Sequence, residues 1–309
     1  MNALKEIVLE TLRSSRTDQP YALVDYPNYL NPGDAAIWLG ARSALGIVNE
    51  KPPAYSASLK EFSVAACRAC VGTGVIYFTG GGNFGDLYPR HHLTRLKIIN
   101  SMPDNPIVLL PSSCAWSKAI DKDILVQTRR TVARPGPIRM FTRERKSQSQ
   151  MIDLFGLVST LCPDLVHALD IMGPPASTEV QAVLRVDREA ATSFAGIRSV
   201  DWLEHADLRR WNRVGKLLLM GAPTCASLSL RDWIASRKMQ SAIRLVAQGK
   251  RLITDRLHAF LFGVALGRPV SILDNSTGKV FAYYDTWSDH LTGVRKDEHI
   301  EDASNYERL

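Results

Sequence analysis

Apolar positions in this chain follow two alternating rhythms. Short, nearly continuous apolar runs occur at Tyr21–Tyr26, Val75–Thr79, Pro106–Ser113 and Ile138–Glu144. Each ends in polar or glycine residues, as strands buried on both faces of a parallel sheet do. Between them lie stretches of helical spacing: residues 2–13, a helix entered at Asn31–Asp34, residues 90–100, and a helix after Ser147 closing near Leu154-Phe155-Gly156. Leu161-Cys162-Pro163-Asp164 reads as a short extended piece and a turn. Strand alternating with helix predicts an α/β class with a parallel sheet. The pattern breaks at Ile171-Met172-Gly173-Pro174-Pro175-Ala176-Ser177, whose prolines, glycine and small residues suit a linker. It then restarts with a strand at Gln181–Asp187, a helix at 231–247, strands at 251–254 and 270–273, and a helix between those two strands. The chain thus divides into residues 1–172 and 173–309. The segment 201–211 fits neither rhythm, the cluster Tyr283, Tyr284 and Trp287 suits packing, and the charged tail from Arg295 onward is expected to fray.

Polar residues gather where strands end. After Leu252 and Ile253 come Asp255, Arg256 and His258, then an apolar helix stopped by Gly267 and Pro269. In parallel sheets ligands sit beyond the carboxyl ends of strands, beside helix N-termini that favour anions. Arg256 offers a permanent fork of donors for phosphate or carboxylate, and His258 can hold or release a proton near neutral pH. The plainer alternative is that Asp255 caps the helix, Arg256 pairs with it and His258 is half-buried. Asn31-Pro32-Gly33-Asp34 is turn chemistry that either caps a helix or presents backbone N–H groups to a ligand. Gly80-Gly81-Gly82-Asn83-Phe84-Gly85-Asp86 has four glycines in six positions, suited to a sharp turn or to close approach of a ligand. It is neither a P-loop nor a dinucleotide fingerprint. Asp274-Asn275 through Gly278-Lys279 forms another loop after a strand.

Composition narrows the classes. The 309 residues are 45% hydrophobic and 22% charged, with no apolar run long enough for a bilayer. The N-terminus is amphipathic, with an early acid, unlike a secretory signal. Five cysteines, Cys67, Cys70, Cys114, Cys162 and Cys225, point to a reducing cytoplasm. Cys67 and Cys70 invite a redox or zinc reading, but they lie in a helical pattern with Val64, Ala65 and Val71 that favours core packing. The net charge of +7 suits a polyanion, an anionic membrane surface or a small anionic substrate. No Lys/Arg block is dense enough to specify nucleic acid, and clusters such as Arg129-Arg130 read as solvated faces.

Seven motifs occur in one order: Asn31-Pro32-Gly33-Asp34, the loop 80–86, Thr142-Arg143-Glu144 with Ser147, Pro163-Asp164, Leu184-Arg185-Val186-Asp187 with Glu189, Asp255-Arg256-Leu257-His258, and Asp274-Asn275 through Gly278-Lys279. Over roughly residues 20 to 290 they resemble the polysaccharide pyruvyl transferases, especially the bacterial exopolysaccharide ketal-pyruvate branch. The Arg-Leu-His element followed by an apolar helix and Gly-x-Pro is the most specific part. Pro32 inside Asn-x-Gly-Asp, and Glu144 where many relatives carry Asp, are departures that leave the implied chemistry intact.

The resemblance implies two Rossmann-like domains facing across a cleft, in the manner of type B glycosyltransferases, with the acceptor on the N-terminal side and phosphoenolpyruvate as donor on the C-terminal side. It implies His258 as general acid and Arg256 in the donor site, with Arg143 the second donor arginine and Arg145 its alternative. Asn31, Gly33, Asp34, Gly81, Gly82, Asn83, Arg185, Asp255, Asn275 and Lys279 are the further expected contacts. No cofactor or metal is expected. The acceptor would be a sugar of a cell-surface polysaccharide or its lipid-linked precursor, which with the positive charge suits a cytoplasmic protein in peripheral contact with the inner face of the membrane. A nucleotide-sugar glycosyltransferase is the rival enzyme, and a non-catalytic polyanion-binding protein the rival of another class.

Overall fold

The structure, a computed structural model, describes residues 2–117, 119–187, 189–190, 199–220 and 227–297. Helix α1 (Asn2–Arg13) precedes β1 (Ala22–Val24), α2 (Pro32–Asn49), β2 (Tyr55–Ala57), α3 (Val64–Val71), β3 (Ile76–Phe78) and β4 (Gly81–Phe84). Then come α4 (Pro89–Ser101), β5 (Ile107–Cys114), α5 (Lys122–Val132), β6 (Ile138–Thr142), α6 (Arg145–Phe155) and β7 (Thr160–Leu161). The second half holds β8 (Thr178–Val183), β9 (Ser199–Val200), α7 (Ala206–Leu219), α8 (Leu228–Val246), β10 (Gly249–Thr254), α9 (Leu257–Ala265), β11 (Val270–Ile272), α10 (Lys279–Trp287) and β12 (Val294–Lys296).

Two sheets result, and every strand pair among the described residues is parallel. The first runs β2-β1-β3-β5-β6-β7, with β4 also paired to β5, and the second runs β12-β11-β10-β8-β9. In each, the strand order reverses beside the first strand, between β1 and β3 and between β8 and β10. Such a reversal leaves a crevice outside the carboxyl ends, where neighbouring loops diverge.

Local chemistry accounts for the helix ends. Asn31 caps α2 by accepting from the Gly33 N–H, with Pro32 in the first turn. Ser63 and Asp121 cap α3 and α5 in the same way. Gly156 ends α6 in the left-handed conformation at φ 62°.

One apolar cluster runs through both halves, joining Leu4, Trp38 and Leu45 of the first to Ile234, Phe260 and Tyr283 of the second. Helix α8 lies against α2, and Asp232 accepts from Trp38 Nε1 at 2.8 Å and from Arg42 Nε at 3.1 Å. The halves are therefore joined by apolar packing and by partly buried polar contacts.

Several expectations are revised. The glycine run is partly a strand, β4, because pairing with β5 supplies an order that glycines do not encode. The expected strand at 181–187 stops at Val183, so Arg185 and Asp187 stand beyond the sheet. The ambiguous segment 201–211 is a short 3-10 turn leading into α7. Strand β2 and helix α5 have no counterpart in the sequence reading. Arg295 does not begin a frayed tail, since it pairs with Ser271 within β12. Residues 298–309 and Cys225 lie outside the described residues. Cys67 is buried in the core around α3, as its helical spacing implied.

Candidate active site

The loops beyond the carboxyl ends of both sheets enclose one cavity of about 340 Å³. Its lining alternates between the halves: Tyr29, Asn31, Asp34, Gly82, Asn83, Tyr88, His91 and Arg143 from the first, and Arg185, Asp187, Glu189, Trp202, Arg256, His258 and Lys279 from the second.

His258 stands in the first turn of α9, directly after β10. Its Nε2 is 3.3 Å from Asp164 Oδ2. The same oxygen accepts from Arg143 Nη1 at 2.7 Å, so one carboxylate serves both cations. Asp164 Oδ1 accepts from the Val166 N–H, which fixes the group. Burial alone would raise the Asp164 carboxyl, but His258 and Arg143 together hold it far below the usual carboxylate range. Gly33 packs against the other edge of the imidazole: a Cβ there would lie 2.3 Å from His258 Nδ1. The glycine of Asn-Pro-Gly-Asp thus admits the histidine ring of the opposite half.

Arg143 follows β6 and is buried; its Nε donates to Ser113 Oγ at 2.7 Å. Burial opposes its charge, but Asp164 and Glu144 outweigh that and keep it protonated. Arg145, the alternative, is exposed in the first turn of α6 and is not part of the lining. The indole of Trp287 donates to the Arg143 carbonyl at 2.8 Å, tying α10 to this strand end.

Arg256 caps the other side of the α9 entrance. It does not pair with Asp255. Its Nη2 donates to both oxygens of Asp201, at 2.7 and 2.6 Å, and its guanidinium lies 5.0 Å from the Trp202 ring centroid. Its Nε is buried without a hydrogen-bond partner among the described residues. That donor, beside a cavity that the side chain lines, is what an anionic ligand would satisfy.

Near Lys279, Glu189 accepts from Tyr88 across the cavity and from the Lys279 ammonium, and lies 3.2 Å from Arg185. Burial would raise Glu189, but Lys279 and Arg185 bring it down to about 2. Arg185 also forks onto Asp187 at 2.8 and 2.9 Å.

The opposite wall is built from the first sheet. Asp34 Oδ2 accepts from the Tyr29 hydroxyl at 2.9 Å and from Asn31 Nδ2 at 2.8 Å. Asp25, at φ 75°, directs a buried carboxylate to Arg95 Nη2 at 2.6 Å and to His91 Nε2 at 3.0 Å. A left-handed aspartate is uncommon, and the surrounding bonds hold it there. His91 also meets Asn83 Nδ2 at 3.1 Å.

The structure therefore brings together His258, Arg256, Arg143, Asn31, Asp34, Gly82, Asn83, Arg185 and Lys279. Four expected contacts stand behind the wall. Gly33 serves as the close-packed face under His258, while Gly81 turns the chain at φ 116°. Asp255 is fully buried and accepts from the Arg185 N–H at 2.9 Å, and burial pushes its carboxyl up to about 6. Asn275 is buried and braces its own loop by accepting from the Thr277 N–H at 3.1 Å. Sequence reading passed over Asp25, His91, Tyr88, Asp201 and Trp202. Only Asp25 carried a visible signal, an acid closing an apolar strand. Among the described residues no group of three His, Cys, Asp or Glu side chains is arranged to hold a metal.

Two parallel sheets whose switch points open onto one cavity, its lining including Arg143, Arg185, Arg256 and Lys279 beside Asp34, Asp187 and Glu189, define an α/β protein with a charged site between its halves. The sequence profile of the polysaccharide pyruvyl transferases matches residues 31–277, and the chain belongs to that family. It is an enzyme of the pyruvyl transferase type. It is 28% identical over 284 residues to pyruvyl transferase 1 of Schizosaccharomyces pombe, covering 86% of this chain and 69% of that protein. It is 27% identical over 293 residues to the putative pyruvyl transferase EpsO of Bacillus subtilis, covering 91% and 89%. An uncharacterized Klebsiella pneumoniae protein of known crystal structure shares the fold, with a TM-score of 0.64 at 15% identity over 97% of this chain and all of that one.

Proposed function

We propose that the chain moves pyruvate from phosphoenolpyruvate onto two hydroxyls of one sugar of a cell-surface polysaccharide or its lipid-linked precursor, forming a cyclic ketal. The reading takes the halves 1–172 and 173–309 as Rossmann-like domains facing across a cleft, as in type B glycosyltransferases. The observation that carries it is the junction of Arg143, Asp164 and His258, in which Arg143 of one half and His258 of the other line the cavity and share the buried Asp164 behind it.

Phosphoenolpyruvate is inert as an electrophile until its methylene carbon is protonated. The His258 imidazolium, oriented by Asp164, gives that proton, and the adjacent carbon becomes oxocarbenium-like. One sugar hydroxyl adds to it, the C–O bond to phosphate breaks, and the second hydroxyl closes the ring. Of the two hydroxyl protons, one restores His258 and the other leaves on hydrogen phosphate, so the step balances without a cofactor. Arg143, Lys279 and the unpartnered Nε of Arg256 supply donors for the phosphate and carboxylate. The wall of Tyr29, Asp34, Asn83 and His91 offers the mixed donors and acceptors that sugar hydroxyls need. Cytoplasmic placement follows from the donor's chemistry and belongs to this proposal.

Phosphate release from phosphoenolpyruvate, measured against a panel of nitrophenyl and lipid-linked sugars, tests the reading. Release that depends on one sugar class supports it. Turnover of a nucleotide sugar with no response to phosphoenolpyruvate would reject it in favour of a glycosyltransferase.

A further inference from the structure

Helix α7 carries an outward face that the fold does not use. Its inner face, with Leu208, Gly215 and Leu219, is buried. The fit on α8 is close, since a Cβ at Gly215 would lie 2.6 Å from Ile234 Cγ2. The outer face ends in three large apolar side chains, Leu217, Leu218 and Met220, which are 69%, 46% and 76% exposed. A cluster of that kind on a soluble surface marks an interaction site.

Its surroundings identify the partner. Arg209, Arg210, Arg213 and Lys216 lie on the exposed side of the same helix. Trp211 meets Trp233 of α8 edge-on at 5.3 Å, with Trp233 40% exposed and Arg237 5.4 Å from both ring centroids. Among the described residues, no carboxylate pairs with Arg210, Arg213, Lys216 or Arg237. Asp207, the nearby acid on α7, is taken by Arg244 at 2.8 Å and by Ser241. Unpaired cations around protruding apolar tips, with tryptophans at the boundary, match the layered chemistry of an anionic bilayer: phosphate headgroups outside, acyl chains beneath. At the other end of the helix, Arg209 Nε donates to the carbonyl of Leu203, a cavity-lining residue, at 3.0 Å.

We propose that the outer face of α7, with Trp233 and Arg237 of α8, docks the protein on an anionic lipid surface, Leu217, Leu218 and Met220 entering the headgroup region. The docking is independent of the pyruvyl-transfer reading, since it concerns partition and not turnover.

Co-sedimentation of the full chain with vesicles of phosphatidylcholine alone, and of phosphatidylcholine with phosphatidylglycerol, reads the partition directly. Binding is expected on the anionic vesicles, weakening as salt rises. Each of Arg210→Gln, Arg213→Gln and Lys216→Gln should lower it about fivefold. The triple change Leu217→Ser, Leu218→Ser, Met220→Ser should lower it about tenfold or more, while binding to soluble heparin stays as in the parent. All these side chains are exposed, so melting temperatures should hold and show that the variants fold. Three results overturn the proposal: no vesicle binding, vesicle binding indifferent to the apolar triple, or self-association in solution that the triple abolishes.

Discussion

Asp164 and His258 lie far apart in sequence, one after the last strand of the first sheet and one in the first turn after β10, yet the carboxylate is 3.3 Å from the imidazole Nε2. That contact exists only where the halves meet, and it fixes the orientation of the one histidine in the Arg-Leu-His element. If His258 supplies the proton, His258→Ala should lower turnover about 10²–10⁴-fold. Phosphate release under saturating donor measures this, and a variant with near-parental rate would remove His258 from the chemistry.

Asp164→Asn should damage both stability and rate. It removes the carboxylate that bonds the buried Arg143 guanidinium and leaves only Glu144, 3.6 Å from Arg143 Nε, at a cost of up to about 3–5 kcal/mol. Because the Asp164 partner is shared, the double change Asp164→Asn, Arg143→Met should be less destabilised than the single effects summed. Denaturant titration of the four proteins gives the coupling, and strict additivity would show that the two side chains act independently.

Arg256 is held by Asp201 through both carboxylate oxygens, with its Nε left over. Arg256→Lys removes that Nε and the planar fork, so donor affinity should fall about tenfold or more with a smaller change in turnover. Calorimetric titration with phosphoenolpyruvate reads the affinity directly. Unaltered binding would mean that Arg256 only braces Asp201.

Two buried histidines contribute to the response to acid. Burial pushes His92 down to about 3 and His167 down to about 4, so both fold neutral. Unfolded histidines titrate near pH 6.5. Below that pH the unfolded chain binds more protons, so stability falls as pH falls, toward about 4 for His167 and about 3 for His92. Each contributes a slope of up to about 1.4 kcal/mol per pH unit in its window. The dependence of melting temperature on pH between 7 and 5 should therefore be shallower in His92→Gln. An identical slope would contradict the assignment.

Lys238 acts in the opposite pH range. Its ammonium is buried on α8, donating to the Tyr29 carbonyl at 3.1 Å in the loop that lines the cavity, and burial brings it down to about 8. The unfolded side chain retains its proton up to about 10.4. Between those values the unfolded chain holds more protons, so this residue's contribution to stability rises with pH. The melting temperature of the parent relative to Lys238→Met should increase from pH 8 to pH 10. A constant difference would show that Lys238 folds with its ordinary affinity for protons.

Much of this protein is local and so readable from the chain alone. Apolar runs ending in polar residues marked most of the strands and the loops that follow them, though not every strand end, because strands buried on both faces of a parallel sheet are apolar throughout. The Asn31 cap, the Gly156 stop and the Gly267-Arg268-Pro269 break follow from backbone rules that need no neighbour. On that basis Arg256, His258 and Arg143 were correctly placed at strand ends. Short elements escaped because they borrow their order: β2 spans three residues, too few for a period, and β4 is a glycine-rich segment made regular by β5.

Who touches whom was decided by the tertiary structure. Arg256 has an aspartate next to it in sequence and bonds to Asp201 instead, because Asp255 faces the Arg185 N–H behind the wall. Gly33 looked like a ligand contact and proved to be the space into which His258 fits. Asp25 and His91 became partners only when α4 packed over the end of β1. Sequence specifies the chemistry available at each strand end, since that depends on a few adjacent residues. The pairing of charges across the cavity depends on how two sheets dock, and that is set by the apolar surface shared between α2 and α8.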